Sequence, residues 1–352
     1  MNFVYVTNQN FEDIFEVSAK YEQWKYVNHQ IFDMVDNYAA IVNETYLPIP
    51  FLVYENEKPI GFVQVNYDES KSSCEICKLI VQETEQDRGY GTKILSEVIK
   101  WVCIQFESGT ITAGYKADNM AAHRLLLKAG FRRQISGENT AAVMETGIRE
   151  SGPREREAPE SVFEEIPYRN VREFTNQIKA LKKYPQSRIG EEKGIHFRRA
   201  SMDDCRQIAG MQLLESQEEY VMPFVDSLAQ SYSDLFEDEI TVSYALCHGE
   251  KPVGLVEIYY GKGRDFPNME GKQVYELFRI LVDRDCQMKG YGTEAVRLFL
   301  DYAKGKFLGE AEDIVVSVVE GNDVALKLYE KFGFAVFGRD KYGHTALKRS
   351  CK

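Results

Sequence analysis

The string Gln-x-x-Gly-Tyr-Gly-Thr is written twice in this chain of 352 residues. It appears first at Gln86, Arg88, Gly89, Gly91 and Thr92, and again at Gln287, Lys289, Gly290, Tyr291, Gly292 and Thr293. Glycines spaced this way between a strand and a helix let backbone N–H groups approach an anion with no Cβ in the way. The helix N-terminus behind them adds a favourable dipole. The chemistry this suits is the holding of a phosphate. It is not the dinucleotide fingerprint, because Ile94 and Ala295 stand where the third glycine belongs. Nor is it a P-loop, which needs a Lys-Ser/Thr pair for a nucleotide phosphate and magnesium.

Around each turn the same elements recur. Glu75 to Val81 matches Glu276 to Val282 at a spacing of 201 residues, and so does Gln86 with Gln287. Asn119 to Phe131 matches Asn322 to Phe334 at 203. Three blocks in constant order are a duplicated domain. The reading is residues 1–148, a charged proline-bearing linker at 149–194 with a helix over 171–184, and residues 195–352.

Each copy begins with a strand (Phe3–Thr7; His196–Arg199), then aromatic-rich helices, then two alternating strands joined through Glu-Lys-Pro. A third strand ends at Val81 or Val282, and the glycine turn opens a long amphipathic helix. A further strand and an Asn-led helix follow, closed by Gly130 or Gly333 before two last strands. Hairpins first and β-α-β later imply an α+β fold, a mixed sheet with helices on both faces.

Composition narrows the function. A net charge of -12 at pH 7 opposes nonspecific nucleic-acid binding, and no apolar run approaches a membrane span. Seven scattered cysteines and an N-terminus unlike a secretory signal suit the cytoplasm. Cys74 and Cys77 form a lone C-x-x-C in a strand-like run, without the second pair or histidines a metal would need. No metal is expected. Oligomeric state is not readable.

Taken together, the Glu-led strand, the glycine turn and the N-x-x-A-x-x-L-x-x-K-x-G-F block resemble the GNAT superfamily of N-acetyltransferases. The resemblance covers about 150 residues of each copy. It implies two tandem three-layer α/β/α domains, each on a mixed, mostly antiparallel, splayed sheet. It also implies acetyl-CoA as donor, with the pyrophosphate at the turn. The pantetheine arm would lie where the strands splay, at Ile280 and Val282 and near the Asn322 helix, with a backbone N–H near Ile280 to Val282 as the oxyanion donor. By the same resemblance Glu276 takes the place of a general base and Tyr329 that of the acid protonating the departing thiolate. For Glu276 a solvated or ion-paired strand residue, and for Tyr329 a core tyrosine, are the alternatives. The first copy departs, with Leu126 in the place of Tyr329; His123, three residues earlier, faces the same way or solvent.

The segment from Leu213 to Tyr232 is similar to the bacterial spermine/spermidine acetyltransferase branch, with Phe224 where that branch has Asn. This implies a small amine acceptor, a polyamine among the candidates, with Glu218 and Glu219 pairing its charges. Protein lysine or N-terminal acetylation, and noncatalytic sensing of acetyl-CoA, are the rival readings.

Overall fold

The computed structural model describes residues 1–106, 110–136, 139–145, 194–236, 240–263, 265–267, 269 and 271–351. The expected linker, apart from Gly194, and the helix expected at 171–184 lie outside them. The chain divides into two compact units, each built on a seven-stranded sheet.

In the first unit the strands are β1 (Asn2–Tyr5), β2 (Leu47–Glu55), β3 (Lys58–Asp68), β4 (Ser73–Val81), β5 (Thr110–Lys116), β6 (Arg132–Ser136) and β7 (Asn139–Glu145). The helices of the first copy are α1 (Gln30–Asn43), α2 (Tyr90–Gln105) and α3 (Met120–Lys128). The second unit repeats them as β8 (Ile195–Arg199), β9 (Ile240–His248), β10 (Lys251–Lys262), β11 (Gln273–Val282), β12 (Asp313–Val318), β13 (Ala335–Arg339) and β14 (Thr345–Ser350). Its helices are α4 (Met202–Ala209), α5 (Phe224–Asp234), α6 (Tyr291–Lys304) and α7 (Asp323–Lys331). Strand orders are β1-β2-β3-β4-β5-β7-β6 and β8-β9-β10-β11-β12-β14-β13.

The local causes are plain. Ser201 and Asp204 form a reciprocal capping box that starts α4. Asn119 and Asn322 each cap their helix by accepting a side-chain hydrogen bond, from the N–H of Ala122 and Ala325 at 3.1 Å. Gly130 and Gly333 follow those helices with φ of 96° and 79°, which L side chains rarely adopt. Along α6, Ala295, Phe299, Tyr302 and Ala303 return at helical spacing and are buried.

Two irregularities shape the sheet. The parallel pair β11–β12 holds only over Val274–Glu276 with Asp313–Val315, and β4–β5 only over Ser73–Glu75 with Thr110–Thr112. Beyond those residues the strands separate, leaving a gap. A β-bulge also interrupts β10–β11, where Glu257 pairs with Arg279 and Ile258 with Leu277, so that Phe278 has no opposite number. Its copy falls at Cys77, between the Gln64–Lys78 and Val65–Ile76 pairs. The C-x-x-C is thus strand, with Cys74 buried and Cys77 on the bulge.

At Gly254 the strands come so close that a Cβ would sit 2.1 Å from the Leu281 carbonyl oxygen. Gly254→Ala must therefore push β10 from β11, at a cost of about 1–3 kcal/mol by analogy with overpacking. The expected result is a lower denaturation midpoint in calorimetry; an unchanged midpoint would show that the strand yields freely there.

Candidate active site

The second glycine turn begins where β11 ends. Met288 and Gly290 take positive φ of 60° and 84°, and Gly290 stands at the N-cap of α6 with no side-chain cap. The first N–H to bond back along this helix is that of Glu294, to the Gly290 carbonyl at 3.0 Å. The N–H groups ahead of it belong to the turn, uncommitted to the helix ladder. A Cβ at Gly290 would meet nothing within 4 Å, so the space above the turn is open. Open space, outward N–H groups and the helix dipole fit the pyrophosphate of acetyl-CoA. Gly292 and Thr293 occupy the first turn of α6 and are half-buried.

The side chains of the motif do something else. Gln287 donates both N–H bonds of its amide to protein, one to the Val282 carbonyl (3.0 Å) and one to Gln217 (2.7 Å). It shapes the turn from inside. Tyr291 bonds through its hydroxyl to His248 Nδ1 at 2.8 Å. Lys289 is exposed and donates to the Asp285 carbonyl.

A cleft of about 750 Å³ opens where β11 and β12 part. Glu276, the last β11 residue paired with β12, lines it at the fork, with Ile280 farther along the strand. Asn322 and Tyr329 line it from α7. Tyr329 is buried, stacks edge-on with Phe334, and its phenol has no hydrogen-bond partner among the described residues. Burial first, and the Glu276 charge second, push that phenol above its ordinary range, so it keeps its proton at neutral pH.

Among the described residues the cleft carries four carboxylates. Asp234, Asp265, Asp340 and Glu276 all line it. The cations there have partners: Arg279 pairs with the fully buried Glu257 at 2.7 Å, and Lys341 with Asp265. Glu218 and Glu219 are exposed and do not line this cleft; their neighbours Tyr220, Val221 and Met222 do. The bulge, the Gln217 contact and the loop aspartates were invisible in the sequence pattern, since each depends on pairing across distant segments.

The first unit has the corresponding cleft, about 420 Å³, lined by Gln86, Gly89, Gly91, Thr92, Asn119 and Leu126 among others. Gly89 caps α2 with φ 81° and no side-chain cap, and Gln86 donates to the Val81 carbonyl at 2.9 Å. Arg88 is exposed and pairs with Glu85. Leu126, buried, offers no proton; His123 is held by the Tyr115 hydroxyl at 2.7 Å.

A family model described as acetyltransferase (GNAT) family matches residues 11–131 and 208–334, most of the chain, so the chain belongs to that family and carries its domain twice. Its class is that of the acetyl-CoA-dependent acetyltransferases. No curated protein matches it. Solved structures similar to it include an acetyltransferase from Thermus thermophilus, at 20% identity and TM-score 0.29, over 41% of this chain and 80% of the other. A spermidine N-acetyltransferase chimera from Vibrio cholerae is 16% identical with TM-score 0.33, over 41% and 96%. The aminoglycoside acetyltransferase AAC(6')-Ib with coenzyme A is 18% identical with TM-score 0.35, over 41% and 94%. No helix among the described residues is long and apolar enough to cross a membrane.

Proposed function

We propose that the second unit, residues 195–352, transfers acetyl from acetyl-CoA to a primary amine of a small cationic molecule by direct attack. The first unit, residues 1–148, keeps a coenzyme turn without the acid, and residues 149–194 link the two. The observation that carries this is the fork of β11 and β12, where Glu276 and Tyr329 line one cleft, with an uncapped helix N-terminus following the same strand β11.

An alkylamine has a pKa near 10.4 and arrives as an ammonium at neutral pH. Asp234, Asp265 and Asp340 favour that charge from the lining of the cleft. Glu218 and Glu219, exposed beside it, add to the field that draws a cation in. Glu276 takes a proton from the nitrogen, leaving a lone pair to attack the thioester carbon. Past the fork β11 has no β12 partner, so alternate backbone N–H groups between Phe278 and Val282 are available to stabilise the negative charge on the carbonyl oxygen. As the carbon–sulfur bond breaks, Tyr329 gives its proton to sulfur. Counted from the ammonium, nitrogen loses two protons, one to Glu276 before attack and one as the tetrahedral intermediate collapses; sulfur gains one through Tyr329, and the other passes to solvent.

Glu276→Gln keeps the shape of the fork and removes the base. Turnover should fall by about 100-fold, in the lower part of the range for general bases, and recover partly as pH rises and more free amine is present. A rate equal to wild type at pH 7 would take Glu276 out of the chemistry.

A further inference from the structure

Gln217 is bonded both to Gln287, at the glycine turn, and to two residues that line the cleft. Its side-chain Oε1 accepts from Gln287 Nε2 at 2.7 Å, and Gln287 is the residue that braces the coenzyme turn against β11. Its backbone carbonyl accepts from the N–H groups of Tyr220 (2.9 Å) and Val221 (3.2 Å), the residues that line the acceptor end. One residue thus ties the turn to the acceptor loop.

The first unit repeats the device. Gln86 donates to Gln23 Oε1 at 2.9 Å and to the Val81 carbonyl, Gln23 donates back at 3.1 Å, and the Gln23 carbonyl accepts from the N–H of Tyr26, which lines that cleft. The two glutamines of each clasp are separated by 63 and 70 residues. Two units that differ at the acid position nonetheless keep the same amide contact.

We propose that Gln217 is a positioning residue: through Gln287 it makes the geometry of the acceptor loop, residues 214–223, depend on occupancy of the coenzyme turn. This rests on the reading of the second turn as a coenzyme site. Anion binding fixes the turn's N–H groups, the turn fixes Gln287, and Gln287 holds the loop through one amide bond. Amine affinity then rises once coenzyme is bound, and the order of binding is built into the fold.

The contact is chemically specific. Gln217 acts as acceptor, so Gln217→Glu retains the bond and Gln217→Leu loses it while keeping the bulk. Hydrogen exchange of the full chain, with and without coenzyme A, reads the loop directly. In the wild type coenzyme A should slow exchange both at residues 288–293 and at 214–223. Gln217→Leu should keep protection of the turn and lose it in the loop by about three- to tenfold, the worth of one net hydrogen bond. Gln217→Glu should restore it. In steady-state assays with spermidine, Gln217→Leu should raise the amine KM with little change in kcat. Loop protection in Gln217→Leu equal to wild type would overturn the proposal, as would a wild-type loop indifferent to coenzyme A while the turn is protected. Absence of protection at the turn itself would instead contradict the coenzyme reading, and the clasp would fall with it.

Discussion

Tyr329→Phe should lower turnover by about 10²–10⁴-fold, the usual worth of a general acid, while the Kd for acetyl-CoA stays within about threefold because only one hydroxyl is removed. The ring is buried against Phe334, and phenylalanine keeps that packing. The loss is therefore chemical rather than structural, and unchanged calorimetric melting is part of the expected result. Sign follows from the protonation state. Burial holds the phenol above its ordinary range, so the acid is loaded through the neutral region. The same shift makes the folded state bind a proton more firmly than the unfolded chain, so this group's contribution to stability declines as pH rises past the unfolded phenol's range, near 10. Equal turnover in wild type and Tyr329→Phe would remove the phenol from the mechanism and leave solvent to protonate the sulfur.

The largest stability effect belongs to Glu257→Leu. Glu257 is fully buried; one carboxylate oxygen accepts from the Ser231 and Ser243 hydroxyls at 2.9 and 3.3 Å, the other from Arg279 at 2.7 Å. Removing it leaves a guanidinium with 13% of its side chain exposed, a hydrogen bond to Gln230 at 3.1 Å and the Phe278 ring at 4.6 Å. Breaking a buried pair from one side costs about 3–5 kcal/mol. The lower end applies here because Arg279 also faces the cleft. Adding Arg279→Met to Glu257→Leu should recover much of the loss, since the pair owes its effect to mutual compensation. Calorimetry of the single and double variants checks this; a single variant within about 1 kcal/mol of wild type would mean that Arg279 relaxes into the cleft at little cost.

What could be read from the chain was what local chemistry decides. The glycine turns, the asparagine caps at 119 and 322, and the strand ends at Val81 and Val282 all depend on neighbours a few residues away, and all stand where the repeat placed them. The bulge at Phe278 was not readable, because a bulge exists only relative to the strand beside it. The clasp from Gln217 to Gln287 spans 70 residues, and no short pattern records it. Glu218 and Glu219 stand next to a recognisable motif, exposed and outside the lining of the cleft. The acids that line the cleft come instead from the end of α5 and from two loops, at Asp234, Asp265 and Asp340. Tertiary folding, not proximity in sequence, selects them.

We propose that the second unit acetylates a small cationic amine. Thiol release from acetyl-CoA by the wild-type chain, with a panel of acceptors that includes spermidine and lysine peptides, tests this directly. Turnover is expected, with a higher kcat/KM for spermidine than for any peptide. Measurable acetyl-CoA binding with no thiol release for any amine would contradict it.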